Sequence, residues 1–126
     1  MKILLVIAVL CGLLVGCGET QPTLSGGKPV EHWIQALNDP NARVRKEAAS
    51  KLGNAGPANS AVLPALVAAL KDPDAKVRCE VILALVKFGP DANEVVPILA
   101  ELQKLDSDAR VRTYAAEALE KIQKGN

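Results

Sequence analysis

The 126-residue sequence contains very few aromatic side chains: they make up 2% of it, and Trp33, Phe88 and Tyr114 are all of them. β-Sandwiches and β-barrels fill their pleated surfaces with aromatic and β-branched side chains, so this shortage disfavours both classes. Alanine is abundant instead, at 19 residues. Alanine and leucine with lysine, arginine and glutamate favour helices. The composition and length therefore predict one small all-α domain.

Histidine and cysteine are also scarce, since the sequence has one histidine, His32, and three cysteines. A metal site needs several such ligands close together, and no cluster of them is present. No Ser-His-Asp set and no glycine-rich phosphate loop can be assembled either. We therefore expect no metal, no other cofactor and no enzyme activity.

The long apolar run of the sequence lies at its N-terminus. Lys2 is followed by an almost wholly apolar stretch, 3–15, which is typical of a signal peptide and shorter than the ~20 residues that span a membrane. The stretch ends in four residues that resemble a bacterial lipobox, namely Leu14, Val15, Gly16 and Cys17. The resemblance implies cleavage before Cys17 and lipid attachment to its thiol. An ordinary signal peptide with a chance cysteine is the alternative.

These features divide the N-terminal part of the chain. Residues 1–16 are the predicted lipoprotein signal peptide, and residues 17–28 are a lipidated cysteine with a flexible tether, rich in Gly, Ser, Thr and Pro. Without Lys2 the chain has 14 basic and 14 acidic side chains. The sequence therefore lacks the surplus of basic residues that would indicate nucleic-acid binding. We expect a bacterial envelope protein, anchored by lipid to the outer membrane or to the outer face of the plasma membrane, depending on the organism.

A motif recurs three times in the remaining sequence, residues 29–126. The segment 37–45 reads Leu-Asn-Asp-Pro-Asn-Ala-Arg-Val-Arg; it returns 33 residues later at 70–78, and in shortened form at 105–112. Such a period is the signature of a solenoid. The predicted units cover about 29–58, 59–92 and 93–124, with two helices in each.

The helix boundaries follow from apolar spacing, turn residues and caps. The predicted first helices are about Val30–Leu37, Ala61–Lys71 and Asn93–Lys104. The predicted second helices are about Ala42–Ala55, Ala75–Phe88 and Ala109–Gln123, capped by Asn41, Asp74 and Asp108. The third unit departs from the pattern, because it has one inserted residue within 102–105 and no turn proline.

The repeated core, Asp-Pro-(Asn/Asp)-Ala-x-Val-Arg-x-x-Ala, resembles short HEAT repeats of the type also found in phycobilisome-lyase-like proteins. The resemblance covers residues 28–124 and implies an α-solenoid of three HEAT-like helical pairs. It implies a non-catalytic scaffold that binds a protein partner of unknown identity.

Two alternatives to the scaffold stay open. The first is an accessory subunit or divergent relative of a HEAT-like enzyme, of the phycobilin lyase or deoxyhypusine hydroxylase type. That hydroxylase family holds iron with His-Glu pairs, and this sequence has none. The second is a purely structural piece that completes its solenoid by end-to-end self-association.

An aspartate and an arginine six residues apart recur in every unit: Asp39 and Arg45, Asp72 and Arg78, Asp106 and Arg112. The favoured interpretation is a structural ladder in which turn carboxylates pair with helix arginines, within or between units. The alternative is an arginine row that binds an anion or an acidic partner. Exposed ion pairs of this kind would each contribute only ~0–1 kcal/mol.

The second helix of the middle unit has an apolar face that the other units lack. Cys79, Leu83 and Val86 stand at i, i+4 and i+7, so they share one side of the helix. The matching positions hold Lys46, Ser50, Gly53 and Thr113, Glu117, Glu120. This contrast predicts a partner-binding patch. The alternative is that a central helix, flanked on both sides, is simply more buried.

Overall fold

The structure, a computed structural model, describes residues 24–125. The predicted signal peptide, the lipobox and Cys17 lie outside the described residues. The described elements are β1 (Leu24–Ser25), β2 (Lys28–Pro29), α1 (Val30–Ala36), α2 (Ala42–Ala55), α3 (Val62–Ala69), α4 (Ala75–Val86), α5 (Val96–Leu105) and α6 (Ala109–Lys124). Three helical pairs follow one another, which confirms the predicted all-α solenoid.

The helices form two layers. Each first helix packs on the second helix of its own unit: α1 on α2, α3 on α4 and α5 on α6. Between units, the second helices make most of the contacts, because α2 packs on α4 and α4 on α6. None of the described helices is both long enough and apolar enough to cross a membrane.

The second helices begin where the sequence predicts. The side chain of Asn41 accepts a hydrogen bond from the Arg43 amide, and those of Asp74 and Asp108 each accept two from the first turns of α4 and α6. Such caps satisfy amide groups that have no partner inside the helix. They also give α2, α4 and α6 the same starting position within each unit.

The inserted residue of the third unit is absorbed by a change of helix type. The turn after α1 closes with a hydrogen bond from the Asp39 amide to the Ala36 carbonyl, three residues back. After α5, the Asp106 amide instead reaches the Leu102 carbonyl, four residues back. Four residues of α-helix, at about 1.5 Å each, cover the same length as three 3₁₀ residues at about 2.0 Å. One extra residue therefore fits without moving the turn.

The start of α5 differs from the prediction. A 3₁₀ segment occupies Gly89–Val95, and α5 begins at Val96 rather than at Asn93. Ala92 and Val95 are fully buried in this segment. The tighter helix thus lets the connection itself contribute to the core.

The last residues of the predicted tether are a folded hairpin. β1 pairs with β2 in antiparallel fashion around Gly26 and Gly27, both of which have positive φ angles. Ser25 is buried; its hydroxyl donates to the Lys51 carbonyl, and its own carbonyl accepts the Trp33 indole N–H at 2.7 Å. A flexible tether up to residue 28 is therefore wrong for residues 24–28. The indole ring needs a cover and a hydrogen-bond acceptor, and the hairpin supplies both.

Candidate functional site

The repeated arginines and aspartates pair between units. Arg45 of α2 donates from Nε and Nη2 to the two carboxylate oxygens of Asp72, at 2.7 and 3.1 Å. Arg78 of α4 makes the same two-pronged contact with Asp106, at 3.0 and 2.9 Å. Such fork geometry fixes orientation as well as distance. The ladder therefore sets the position of each unit on the next.

Each arginine of the ladder also holds its own turn. The Nη1 group of Arg45 donates to the Asp39 carbonyl at 2.8 Å, and that of Arg78 to the Asp72 carbonyl at 2.8 Å. In return, the Asp72 carboxylate accepts the Asp74 amide at 2.9 Å. One guanidinium thus links its own turn to the turn of the following unit.

The paired side chains are more buried than expected. The Arg78 and Asp106 side chains are 11% and 6% exposed. The hydrogen bonds that Arg78 donates to the Asp106 carboxylate raise the pKa of Arg78. Burial alone would raise the pKa of Asp106, but hydrogen bonds from Arg78 and the Asp108 amide hold it below the usual value. The assumption of exposed rungs is wrong, because the side chains of both pairs are largely buried.

The ladder has an open position at its C-terminal end. Arg112 donates from Nη1 to the Asp106 carbonyl at 2.7 Å, just as Arg45 and Arg78 hold their own turns. Within residues 24–125, no carboxylate pairs with its remaining N–H groups. The Arg112 guanidinium is therefore held by its own turn as in the other units, but among the described residues it lacks the carboxylate partner that Arg45 and Arg78 have.

The three residues of the predicted patch have different surroundings. Leu83 is 40% exposed, while Cys79 and Val86 are half-buried. Val86 matches Gly53 of the first unit, where an added Cβ would lie 2.8 Å from the Ala84 Cβ of the next unit. By this equivalence Val86 stands at the junction with α6, and Leu83 is the outward-facing centre. Burial raises the pKa of the Cys79 thiol, which favours its neutral form.

A groove between α3 and α5 is a feature that the sequence did not predict. Its volume is about 1120 Å³, and Val67, Ile98, Leu102 and Leu105 supply much of its apolar lining. Leu105 is 74% exposed, whereas Leu37 and Leu70, which precede the same turn in the other units, are buried. The available signal was the inserted residue of the third unit, because it moves Leu105 to a different side of its helix.

His32 lies on the surface beside the hairpin. Its Nε2 atom is 3.4 Å from Lys28 Nζ, and its ring contacts the Trp33 ring edge-on, with 4.9 Å between centroids. Residues 24–125 contain no group of three His, Cys, Asp or Glu side chains placed to hold a metal ion. The described part of the chain thus offers His32 a packing role against Trp33.

Comparison with known families agrees with this geometry. A family model of HEAT repeats matches residues 30–120. The chain belongs to the HEAT repeat family. No curated protein matches the sequence. HEAT repeats generally mediate protein–protein interactions.

In this HEAT domain, the layer of second helices is continuous across all three units. Stacked repeats build extended surfaces of this kind, and repeat proteins use them for binding. Leu83 lies in the middle of the layer, with Ser50 and Glu117 at the matching positions on either side. The arrangement can accept an apolar side chain at its centre and polar groups around it.

Proposed function

We propose that this HEAT protein is a lipid-anchored, non-catalytic interaction scaffold of the bacterial cell envelope. It binds a protein partner through the layer of second helices, centred on Leu83. The observation that carries the proposal is the exposure of Leu83, 40%, at a position where the flanking units hold serine and glutamate.

The composition around Leu83 supports a binding role. Protein interfaces combine an apolar centre with a polar rim that excludes water. Cys79 extends the apolar centre by one turn of α4, and the exposed Lys46 and Glu117 stand on the neighbouring helices. A partner that places an apolar side chain on Leu83 would find charged groups of both signs beside it.

The N-terminal sequence supports the anchor. Residues 1–16 have the pattern of a cleaved leader, and Gly16-Cys17 ends a lipobox-like segment. Two or more acyl chains anchor a protein stably, whereas one chain binds marginally. Mass spectrometry of the mature protein should find an N-terminal Cys17 that carries lipid. Cys17→Ser should release the protein from membranes; an unmodified Cys17, or cleavage elsewhere, would contradict the anchor.

The scaffold is tested at Leu83, with Ser50 as the matched control. Leu83→Lys puts a charge at the proposed centre, and Ser50→Lys puts the same charge at the equivalent position of the first unit. After chemical cross-linking in the native envelope, Leu83→Lys should lose the partner that the wild-type chain and Ser50→Lys retain. Circular dichroism should show both variants folded. Unchanged capture by Leu83→Lys, or its unfolding, would remove the patch from the proposal.

The absorbance spectrum and metal content of the purified protein distinguish the scaffold from the enzyme-related alternative. The repeated core resembles the short repeats of phycobilisome-lyase-like proteins, and a relative with that activity would carry a chromophore. We expect protein purified from its native envelope to show neither tetrapyrrole absorbance nor stoichiometric iron. Either one would favour an accessory subunit or a divergent relative of a HEAT-like enzyme.

A further inference from the structure

One stripe of each second helix faces the following unit. In α2 this stripe is Arg45, Ala49 and Gly53: Arg45 binds Asp72, and Gly53 lies against Ala84. Ala49, between them, is fully buried. The same stripe in α4 is Arg78, Ile82 and Val86, and Ile82 is also fully buried. The stripe is therefore the contact surface for the next helix in the layer.

In α6 the equivalent stripe is Arg112, Ala116 and Glu120, which we call the end stripe. Ala116 and the adjacent Leu119 are half-buried, whereas Leu52 and Leu85, which match Leu119, are fully buried. Arg112 keeps the bond to its own turn and has no carboxylate partner among the described residues. The end stripe therefore presents a contact surface that the other two units have covered.

The N-terminal end of the solenoid does not offer the complementary surface. Lys51 is the first-unit equivalent of Ala84, the residue that Gly53 approaches. The hairpin covers this position, since the Ser25 hydroxyl binds the Lys51 carbonyl. An added Cβ on Gly26 would lie 2.8 Å from Lys51 Cδ. A second copy docking head to tail would meet the hairpin.

The end stripe is complementary to itself. Arg112 and Glu120 each lie four residues from Ala116, about 6 Å along the helix axis in opposite directions. A twofold axis through Ala116 sets two α6 helices antiparallel, with Arg112 of each opposite Glu120 of the other. Asp108 and Lys124 each lie eight residues from Ala116, so the same axis sets Asp108 of one copy opposite Lys124 of the other. The small Ala116 side chains allow the helices to approach closely.

We propose that two copies of this protein associate tail to tail through the end stripe, with Glu120 of one copy supplying the carboxylate for Arg112 of the other. A closed twofold contact of this kind uses the same patch on both copies. In the single chain, Glu120 pairs with Lys124, and both side chains are largely exposed, at 63% and 71%. Exposed pairs contribute little, so Glu120 can exchange its partner at small cost. This association does not depend on the Leu83 patch.

The first test places a thiol on the proposed axis. In the full chain in its native membrane, Ala116→Cys is combined with Cys79→Ser and treated with a mild oxidant. A symmetric disulfide should form, because residues on a twofold axis between close helices meet their own copies. Glu117→Cys, one residue away and facing outward, is the matched control. No dimer at position 116, or an equal yield of dimer at position 117, would overturn the proposal.

The second test reverses one charge and then both. Glu120→Arg sets arginine against Arg112 of the other copy and should reduce the dimer cross-linked through the thiol at position 116 by about tenfold or more. The double variant Arg112→Glu, Glu120→Arg restores opposite charges and should restore the dimer. Glu120→Gln replaces the carboxylate with a neutral amide and should give an intermediate yield of dimer. This variant provides the test if the double variant fails to fold. Cross-linking that is indifferent to Glu120→Arg would contradict the charge-paired register.

Discussion

Gly53 of α2 lies so close to Ala84 of α4 that a Cβ atom added to Gly53 would be 2.8 Å from the Ala84 Cβ and 2.9 Å from its Cα. At this point α2 and α4 therefore meet through small residues. Such a close approach leaves no room for a large ring between the two helices, which fits the small number of aromatic side chains. The buried rings of the described residues are Trp33, in α1, and Phe88, which follows α4.

This contact makes a prediction for Gly53→Ala. Alanine in a helix interior normally adds about 0.5–1 kcal/mol of stability relative to glycine. Here the new methyl group meets backbone and must push α4 away, so we expect a net loss of about 1–3 kcal/mol in the free energy of unfolding. Thermal melting by circular dichroism measures it, with Ser50→Ala in the same helix as the control. A higher melting temperature for Gly53→Ala would contradict the close contact.

The buried rung between Arg78 and Asp106 should stabilise the domain. Arg78→Met keeps the aliphatic stem but leaves Asp106, 6% exposed, without its guanidinium partner. We expect a loss of about 1–3 kcal/mol, since an unsatisfied buried group retains its desolvation cost. Adding Asp106→Asn should recover part of this loss.

The control for the rung is the exposed pair of Arg110 and Asp108. The Arg110 side chain is 61% exposed, so Arg110→Met should change the melting temperature little. Chemical denaturation of both variants compares the two pairs directly. Equal effects of Arg78→Met and Arg110→Met would show that burial of the rung is not what matters.

Asp108 should contribute to acid sensitivity. The Arg110 side chain, and then the Arg110 amide, lower the pKa of Asp108 from an ordinary 3.8 to about 2. Because the folded value is the lower one, its stabilisation is present at neutral pH and is lost as the pH falls from about 5 toward the folded pKa. Asp108→Asn keeps a capping side chain, as Asn41 shows in the first unit. This variant should make the melting temperature depend less on pH.

The reverse substitution completes that test. Asn41→Asp should make the acid loss of melting temperature steeper than in the wild-type chain, while Asp108→Asn makes it shallower. A carboxyl titration of Asp108 by nuclear magnetic resonance should give a pKa of about 2. Parallel melting curves for all three proteins between about pH 5 and pH 2 would exclude this role for the caps.

The hairpin should hold the first unit closed through Trp33. Trp33→Phe removes the indole N–H that donates to the Ser25 carbonyl at 2.7 Å but keeps an aromatic ring. We expect a loss of about 1–2 kcal/mol, because the buried carbonyl of Ser25 loses its partner. Denaturant unfolding followed by circular dichroism measures the change. A variant as stable as the wild-type chain would show that ring packing alone holds the hairpin.

Local signals in the sequence were sufficient for the second helices. The range Ala42–Ala55 was predicted to the residue, because Asn41 caps the start of this helix and Gly56 directly follows its last residue. The start of α5 was missed, since a 3₁₀ segment and an α-helix share the same residue preferences there.

Contacts between distant segments could not be derived in the same way. A six-residue spacing of aspartate and arginine is compatible with pairing inside a unit and between units, and only the packed helices select the latter. The hairpin depends on a hydrogen bond between Ser25 and Lys51, 26 residues apart in the chain. The exposed Leu105 depends on how α5 ends, which the sequence marked only as an insertion.

We propose that this HEAT domain binds a protein partner through the surface around Leu83. The most direct measurement is photo-cross-linking in the native envelope, with a photoreactive amino acid at position 83 and, as the control, at the exposed position 35 of α1, in the layer of first helices. The scaffold predicts one discrete cross-linked partner from position 83 and none, or far less, from position 35. No adduct at position 83, or the same pattern from both positions, would contradict it.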